Sequence, residues 1–248
     1  MVKILLLNDT HKGMTNNTDK IHQKFFNKIA KEEFDVIIHA GDMASNKQKH
    51  VLRTFEQMRE VAGERPILAV RGNHDYWQDD RKHGWLDFYQ LLEQHREWAA
   101  LHNIVLLDEG GSFETNNVFI SGFATWYYDI KPGTNDCNWM DEMTPDGQIV
   151  NHFLKNKESE TLNTLNIILE EKLGATRVVV SHMPVFGDHR DQKYTSSFNN
   201  QLALKGNCEY YLCGHSHKIY EGEEHFWAKV YQTGSDYDKP KYQIIEVV

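Results

Sequence analysis

The sequence predicts an α/β fold in one domain, residues 1–248. Three observations point that way. The early chain alternates short apolar runs with stretches that carry apolar side chains at helical spacing, the βαβαβ order that builds parallel sheet. Five apolar runs each deliver Asp, Asn or His at their carboxyl end, the side on which open α/β sheets place ligands. At 248 residues, with 40% hydrophobic and 25% charged residues, the chain can bury a full core, and α/β folds of this length are commonly one domain.

The elements follow in order. Lys3 to Asn8 is a strand that leads into Asp9 and His11. A polar loop precedes a helix beginning near Asn17 or Thr18, whose Ile21, Phe25, Phe26 and Ile29 cover the sheet. Val36 to His39 is the next strand, and a helix over about residues 47–61 turns Val51, Leu52, Phe55 and Met58 inward. Pro66 opens a third strand, Ile67 to Arg71. A helix around residues 85–100 packs Leu86, Leu91, Leu92 and Trp98, and a strand from Asn103 to Leu107 follows. Phe113 to Thr115 and Val118 to Ser121, turned by Asn116-Asn117, read as a hairpin. The segment from Thr125 to Gly147 has no periodicity and carries Trp126, Tyr127, Tyr128 and Trp139; such long segments are often functional. A helix over about residues 155–173 shows Leu162, Leu165, Ile168 and Leu169 in a stripe and stops near Gly174. Strands at Arg177 to Ser181 and Glu209 to Cys213 come next, then three C-terminal strands read as antiparallel, over residues 218–221, 226–232 and 242–247.

The run from Asp35 to Asp42 organises the rest. Val36, Ile37, Ile38 and His39 form a continuous apolar stretch of the kind that parallel strands bury on both faces, and Ala40-Gly41 then hands over to Asp42. The third strand runs likewise into Gly72-Asn73-His74-Asp75, the next into His182, and Glu209 to Cys213 into Gly214-His215-Ser216-His217. Asp9, His11, Asp42, Asn73, His182, His215 and His217 are thereby candidates for one shared cation site. A pair of divalent ions needs several such ligands, one of them bridging, and imidazoles with carboxylates suit Mn, Fe and Zn. Taken singly, any of the 14 histidines reads as a surface or packing residue. Their arrival at separate strand ends is the signal.

Composition narrows the partners. The formal net charge of -9, from 27 Lys+Arg against 36 Asp+Glu, argues against a broad basic surface for duplex nucleic acid. It leaves a nucleotide substrate open, because bound divalent cations dominate their local field. The three cysteines, Cys137, Cys208 and Cys213, form no disulfide framework and point to a reducing compartment. The chain begins directly with a strand and has no run approaching 18 apolar residues, so a cytoplasmic protein without membrane contact is expected.

With these motifs in hand, the sequence resembles the calcineurin-like metallophosphoesterase superfamily. Asp9-x-His11, Gly41-Asp42, Gly72-Asn73-His74-Asp75, Ser181-His182 and Gly214-His215-Ser216-His217 occur in that order over nearly the whole chain. The resemblance implies a four-layer αββα sandwich with two central mixed sheets and a two-metal site on the loops at the strand ends. It implies that Asp9, His11 and His217 hold one metal, that Asn73, His182 and His215 hold the other, and that Asp42 bridges them. Manganese is the expected ion, with Fe, Zn or Mg as alternatives. The implied chemistry is in-line attack on phosphorus by a hydroxide held between the ions. His74 would assist the leaving group, with Asp75 orienting its imidazole.

Departures from the family narrow the substrate. Protein Ser/Thr phosphatases of this superfamily carry Asp-Arg-Gly where this chain has Ser45-Asn46-Lys47, so their phosphate-holding arginine is missing. Asp75 stands where that branch commonly has Glu. Phosphodiester or nucleotide-type esters are therefore the expected substrates, with Arg71, Trp77, Trp126, Tyr127, His189 and Arg190 as candidate substrate contacts. For each, a packing or surface role remains the other reading: Arg71 as a strand-end residue, the aromatics as loop packing. The alternatives left open are a phosphomonoesterase, a nuclease resembling the repair exonucleases of the superfamily, and a non-catalytic binding scaffold.

Overall fold

Side chains alternate across a strand, so a strand buried on both faces feeds two different cores. In β1 (Val2–Leu7), Val2, Ile4 and Leu6 join one buried cluster while Leu5 and Leu7 join another. That split defines the layers. The computed structural model describes residues 1–15, 17–45, 47–78, 86–126, 147–185, 207–225, 227–237 and 239–248. After β1 come α1 (Thr18–Ile29), β2 (Val36–Ala40), α2 (Gln48–Ala62), β3 (Ile67–Val70), a 3-10 turn (Asn73–Tyr76), α3 (Phe88–Leu101) and β4 (Ile104–Leu106). Then follow β5 (Ser112–Thr115), β6 (Val118–Gly122), α4 (Gly147–Glu171), β7 (Thr176–Val180), β8 (Tyr210–Leu212), β9 (Ile219–His225), β10 (Ala228–Thr233) and β11 (Tyr242–Val247).

One sheet has the order β11-β1-β2-β3-β4, the other β5-β6-β7-β8-β10-β9. In the first, β1 to β4 are parallel and β11 runs antiparallel to β1. In the second, β6, β7, β8 and β10 are parallel, flanked by antiparallel β5 and β9. Ile4, Leu6, Ile38 and Val70 from the first sheet meet Ile120, Val178, Val180 and Leu212 from the second in a core between the sheets. Phe25, Phe26, Val51, Phe55 and Met58 cover the outer face of the first sheet, and Leu162, Leu165 and Leu169 that of the second. The result is the expected αββα sandwich with two mixed sheets. At about 25 cal/mol per Å² of apolar area removed from water, these three layers of contact supply the main drive for folding.

Several local expectations are corrected. The helix expected from 155 begins at Gly147, and the one expected from 85 begins at Phe88. The second start has a clear cause: Asp87 Oδ1 accepts from Gln90 N–H at 2.9 Å while Gln90 Oε1 accepts from Asp87 N–H at 3.1 Å, a reciprocal cap. His22 occupies the buried place expected for Ile21, and Leu52, Leu86 and Trp98 are half-buried. Of the C-terminal strands expected to be antiparallel, β9 and β10 do pair so and β11 is antiparallel to β1, but the three do not stay together. β10 pairs in parallel with β8, and β11 crosses to the first sheet. Among the described residues no helix is long and apolar enough to cross a membrane.

Candidate metal centre

Because β1, β2, β3, β7 and β8 deliver their carboxyl ends to one edge of the sandwich, the loops that follow them meet. The loops after β1 and β2 are tied together by Asp9 N–H to Gly41 O, His11 N–H to Asp42 O and Lys12 N–H to Met43 O, each 3.0 Å. Three groups of possible ligand atoms result, each within 4.8 Å internally: Asp9, His11 and His217; His11, Asp42 and His74; Asp42, His182 and His215. Asp42 is shared. Its Oδ2 lies 3.6 Å from His11 Nε2 and 3.4 Å from His182 Nε2, while its Oδ1 accepts the His74 backbone N–H at 2.9 Å. Asn73 completes the second group, with its Oδ1 3.1 Å from His182 Nε2. On the other side, His217 Nε2 is 3.2 Å from His11 Nε2 and 3.7 Å from Asp9 Oδ1.

The backbone is bent to achieve this. Asp9, His11, Asp42, His215 and His217 have φ of +48°, +45°, +55°, +65° and +55°, a region that costs a side-chain-bearing residue about 1 kcal/mol or more. Such strain persists where surrounding contacts over-determine it. Gly41, at φ +86°, lies so close to His182 that a Cβ would stand 2.4 Å from its Nδ1, so glycine alone lets the histidine reach its place.

Three of the ligand candidates, His182, His217 and Asp9, are oriented from behind. His182 Nδ1 donates to Ala40 O at 2.9 Å, which turns Nε2 toward Asp42 and Asn73. His217 Nδ1 lies 3.4 Å from Asp236 Oδ1. Both oxygens of Asp9 accept the His215 N–H at 2.9 Å, and Asn8 donates to Asp9 Oδ2 at 2.5 Å. Burial holds His11 well below its ordinary pKa and pushes His215 down to about 3, so both imidazoles are neutral. Burial would also raise Asp42, yet the nearby His182, His74 and His11 keep it well below the usual carboxylate range. His182 is the counterpart: burial lowers it, but the charge of Asp42 prevails and raises it to about 9. Burial raises Asp9 to about 6.

The donor set of imidazole nitrogens and carboxylate oxygens around one shared aspartate fits a pair of divalent ions of the Mn, Fe or Zn type.

His74 sits beside this cluster, its ring centroid 4.6 Å from that of His11 and 4.0 Å from that of Trp77. Asp75 does not orient it, contrary to the sequence expectation. Its carboxylate instead accepts four backbone N–H groups, from Gly72 at 2.8 Å, Asp42 at 3.0 Å, Met43 at 2.9 Å and Ala44 at 3.1 Å. The Ser45 carbonyl, 3.1 Å from His74 Nδ1, performs the orienting. Asp75 therefore clamps the loop that carries Asp42. Asp75→Asn turns two of those acceptor sites into an amide facing donors, and we expect it to cost about 3 kcal/mol, read as a lowered unfolding midpoint in denaturant. An unchanged midpoint would remove the clamp.

The substrate candidates fare differently. Arg71 is buried and its guanidinium is committed to Asp108, 2.7 Å from Nε, and to Glu109. Trp126 is 1% exposed and meets Tyr76 edge-on at 6.0 Å, within a cluster with Phe88, Leu92 and Met183. Trp77, 2% exposed, backs the His74 ring. All three have packing or ion-pair roles. Tyr127, His189 and Arg190 lie outside the described residues, as do Tyr128 and Trp139. Tyr237 was missed by sequence reasoning: its ring is 4.6 Å from His11 and 5.2 Å from His217, and it is 39% exposed. The signal was present, since residues 228–233 run into Gly234-Ser235-Asp236 as the other strands run into theirs.

An αββα sandwich carrying these clusters at its strand ends has the metallo-dependent phosphatase fold. The chain belongs to the calcineurin-like phosphoesterase family, whose sequence model matches residues 2–219. It is a metal-dependent phosphoester hydrolase. Solved structures with this fold include a phosphopantetheinyl hydrolase from Mycobacterium tuberculosis (TM-score 0.68, 14% identity, 95% of this chain and 90% of that one covered). A dimetal phosphatase from Danio rerio (0.59, 11%, 93% and 86%) and the calcineurin-like phosphoesterase YfkN from Bacillus subtilis (0.50, 12%, 98% and 90%) are further examples. Among curated proteins none matches this chain.

Proposed function

We propose that this chain, as one domain, hydrolyses phosphodiester or nucleotide-type phosphate esters. Asp9, His11 and His217 would hold one divalent ion, Asn73, His182 and His215 the other, with Asp42 shared. The observation that carries the reading is Asp42 Oδ2 standing between His11 and His182 while Oδ1 is pinned by a backbone N–H. Bound divalent ions at such a centre polarise phosphoryl oxygens and generate a nucleophile from water at neutral pH. Manganese is the ion we favour.

The chain's own residues do the rest. Because the Ser45 carbonyl accepts from His74 Nδ1, the lone pair or second proton of that ring sits on Nε2, the end we assign to the leaving oxygen. Tyr237 offers an exposed ring beside His11 and His217, a surface on which a planar leaving group can stack. Burial removes water from around the centre and strengthens each charge interaction there. Cys208 and Cys213, both free and buried, support a reducing, cytoplasmic setting. The test is a panel of mono- and diesters and cyclic nucleotides assayed with Mn²⁺ and after chelation. Diesters turned over only with metal support the reading, and monoester preference or metal-independent turnover overturns it.

A pH dependence follows from His182. Held at about 9 by Asp42, it is an imidazolium at pH 7 and has to lose that proton to act as a ligand. Metal affinity is therefore expected to rise with pH, more steeply near pH 6 where Asp9 also loses its proton, close to tenfold per unit between about pH 7 and 8, and to level off above 9. His11 and His215, already neutral, add nothing to that slope. Calorimetric titrations of metal at several pH values read it; a flat profile would count against His182 as a ligand.

A further inference from the structure

A second polar cleft, of about 340 Å³, opens between α1 and α2 and plays no part in the chemistry above. Lys12, Lys49, His50, Arg53 and Gln57 line it, with Asp19 as the carboxylate among its lining residues. In a chain of net charge -9 this is a local excess of positive groups.

The decisive member is Lys12. Its side chain is 1% exposed, and its Nζ lies 2.8 Å from Asp19 Oδ1, whose own side chain is 82% exposed. Among the described residues that carboxylate is the ammonium's one side-chain partner. An ammonium has three donors, and burying one with donors unspent is costly unless something else accepts them.

The start of α2 is built for the same guest. A helix N-terminus carries partial positive charge and usually recruits Asp or Glu. Here no acidic residue lies in the first turn, the N-cap is Lys47, and its side chain makes no cap; Lys49 and His50 follow immediately. His50 is brought against the Lys12 loop by Gly13, at φ +102°, where a Cβ would meet the His50 ring at 2.5 Å. His50 and the buried His22 are both pushed down to about 4, first by burial and then by the charge of Lys12. Arg53 is partly answered by Glu56 at 2.8 Å and Glu60 at 3.4 Å; Lys49 has no ion pair among the described residues.

We infer that this cleft binds a phosphate-type oxyanion, to which Lys12, Lys49 and the His50 ring donate. Lys12 follows His11 directly, and its carbonyl accepts Ser45 N–H at 3.0 Å, so the site shares its loops with the metal centre. Its guest is therefore either the dianionic phosphomonoester group of the product released by diester hydrolysis or a second phosphate group of the substrate.

The test follows the histidine ring signals of the full chain by NMR, with and without Zn²⁺, during titration at constant ionic strength. Inorganic phosphate and dimethyl phosphate are the two probes. A saturable movement of the His50 signal is expected, at least tenfold weaker in affinity in Lys49→Gln/Arg53→Gln and absent in Lys12→Met. If Lys12→Met does not fold, the double variant at the cleft mouth carries the test alone. Inorganic phosphate stands in for the dianionic group of the monoester product, so a response to it alone assigns that product; response to both assigns a diester group of the substrate. No saturable movement at His50, an equal response to chloride, or unaltered affinity in the double variant would overturn the inference. Hydrolysis enters none of these readouts, so a chain that cleaved no diester would leave the result standing.

Discussion

Asp42→Asn is expected to cut metal content to one ion per chain or fewer and to slow ester hydrolysis by at least about 10³-fold. The reason is geometric. Asp42 alone belongs both to the cluster with His11 and to the cluster with His182 and His215. Asparagine keeps an oxygen for the His74 N–H but turns a neutral amide toward two cations and removes the charge that holds His182 at about 9. The His11 and His182 edges, 3.6 and 3.4 Å from Oδ2, then have no common anion between them. Mass-spectrometric metal analysis with a circular dichroism control for folding reads the outcome. A variant that kept two ions and activity within tenfold of wild type would show that Asp42 is not the bridge.

His74→Gln is expected to act on the leaving group rather than on the metals. An alkoxide needs a proton as it departs, whereas a nitrophenolate leaves unaided, so alkyl esters are expected to slow by about 10²–10⁴ and nitrophenyl esters by under about tenfold. Metal content is the control that separates two roles, because His74 also shares a 4.8 Å sphere with His11 and Asp42. Retained metal with a leaving-group-dependent loss identifies the acid. Lost metal would make His74 a ligand, and an equal loss on both ester types would remove the acid role.

Much of this centre was legible before any coordinates, for a physical reason. Parallel strands buried on both faces read as unbroken apolar runs, and a carboxylate or imidazole following such a run stands at the sheet edge whatever the rest of the chain does. Asp9, Asp42, Asn73, His182 and His215 were all singled out that way, and the fold brings them together. The failures share a cause too. Asp75, adjacent to His74 in sequence, was read as its partner, but the 3-10 turn at Asn73–Tyr76 directs the carboxylate under the Asp42 loop and leaves the imidazole to a carbonyl 29 residues away. Arg71 faced the same ambiguity, and Asp108, 37 residues on, resolved it by pairing with the guanidinium.

The sequence by itself determined the α/β class, the strand ends that carry the chemistry and the residue types that meet there, because burial and residue type are local properties of the chain. Only the tertiary structure decided which strand lies beside which. β10 runs parallel to β8 rather than closing a C-terminal antiparallel unit, and that pairing is what carries Asp236 to His217 and Tyr237 to the mouth of the centre. An apolar run fixes that a strand is buried; its direction and neighbours depend on long-range contacts that no short stretch of sequence encodes.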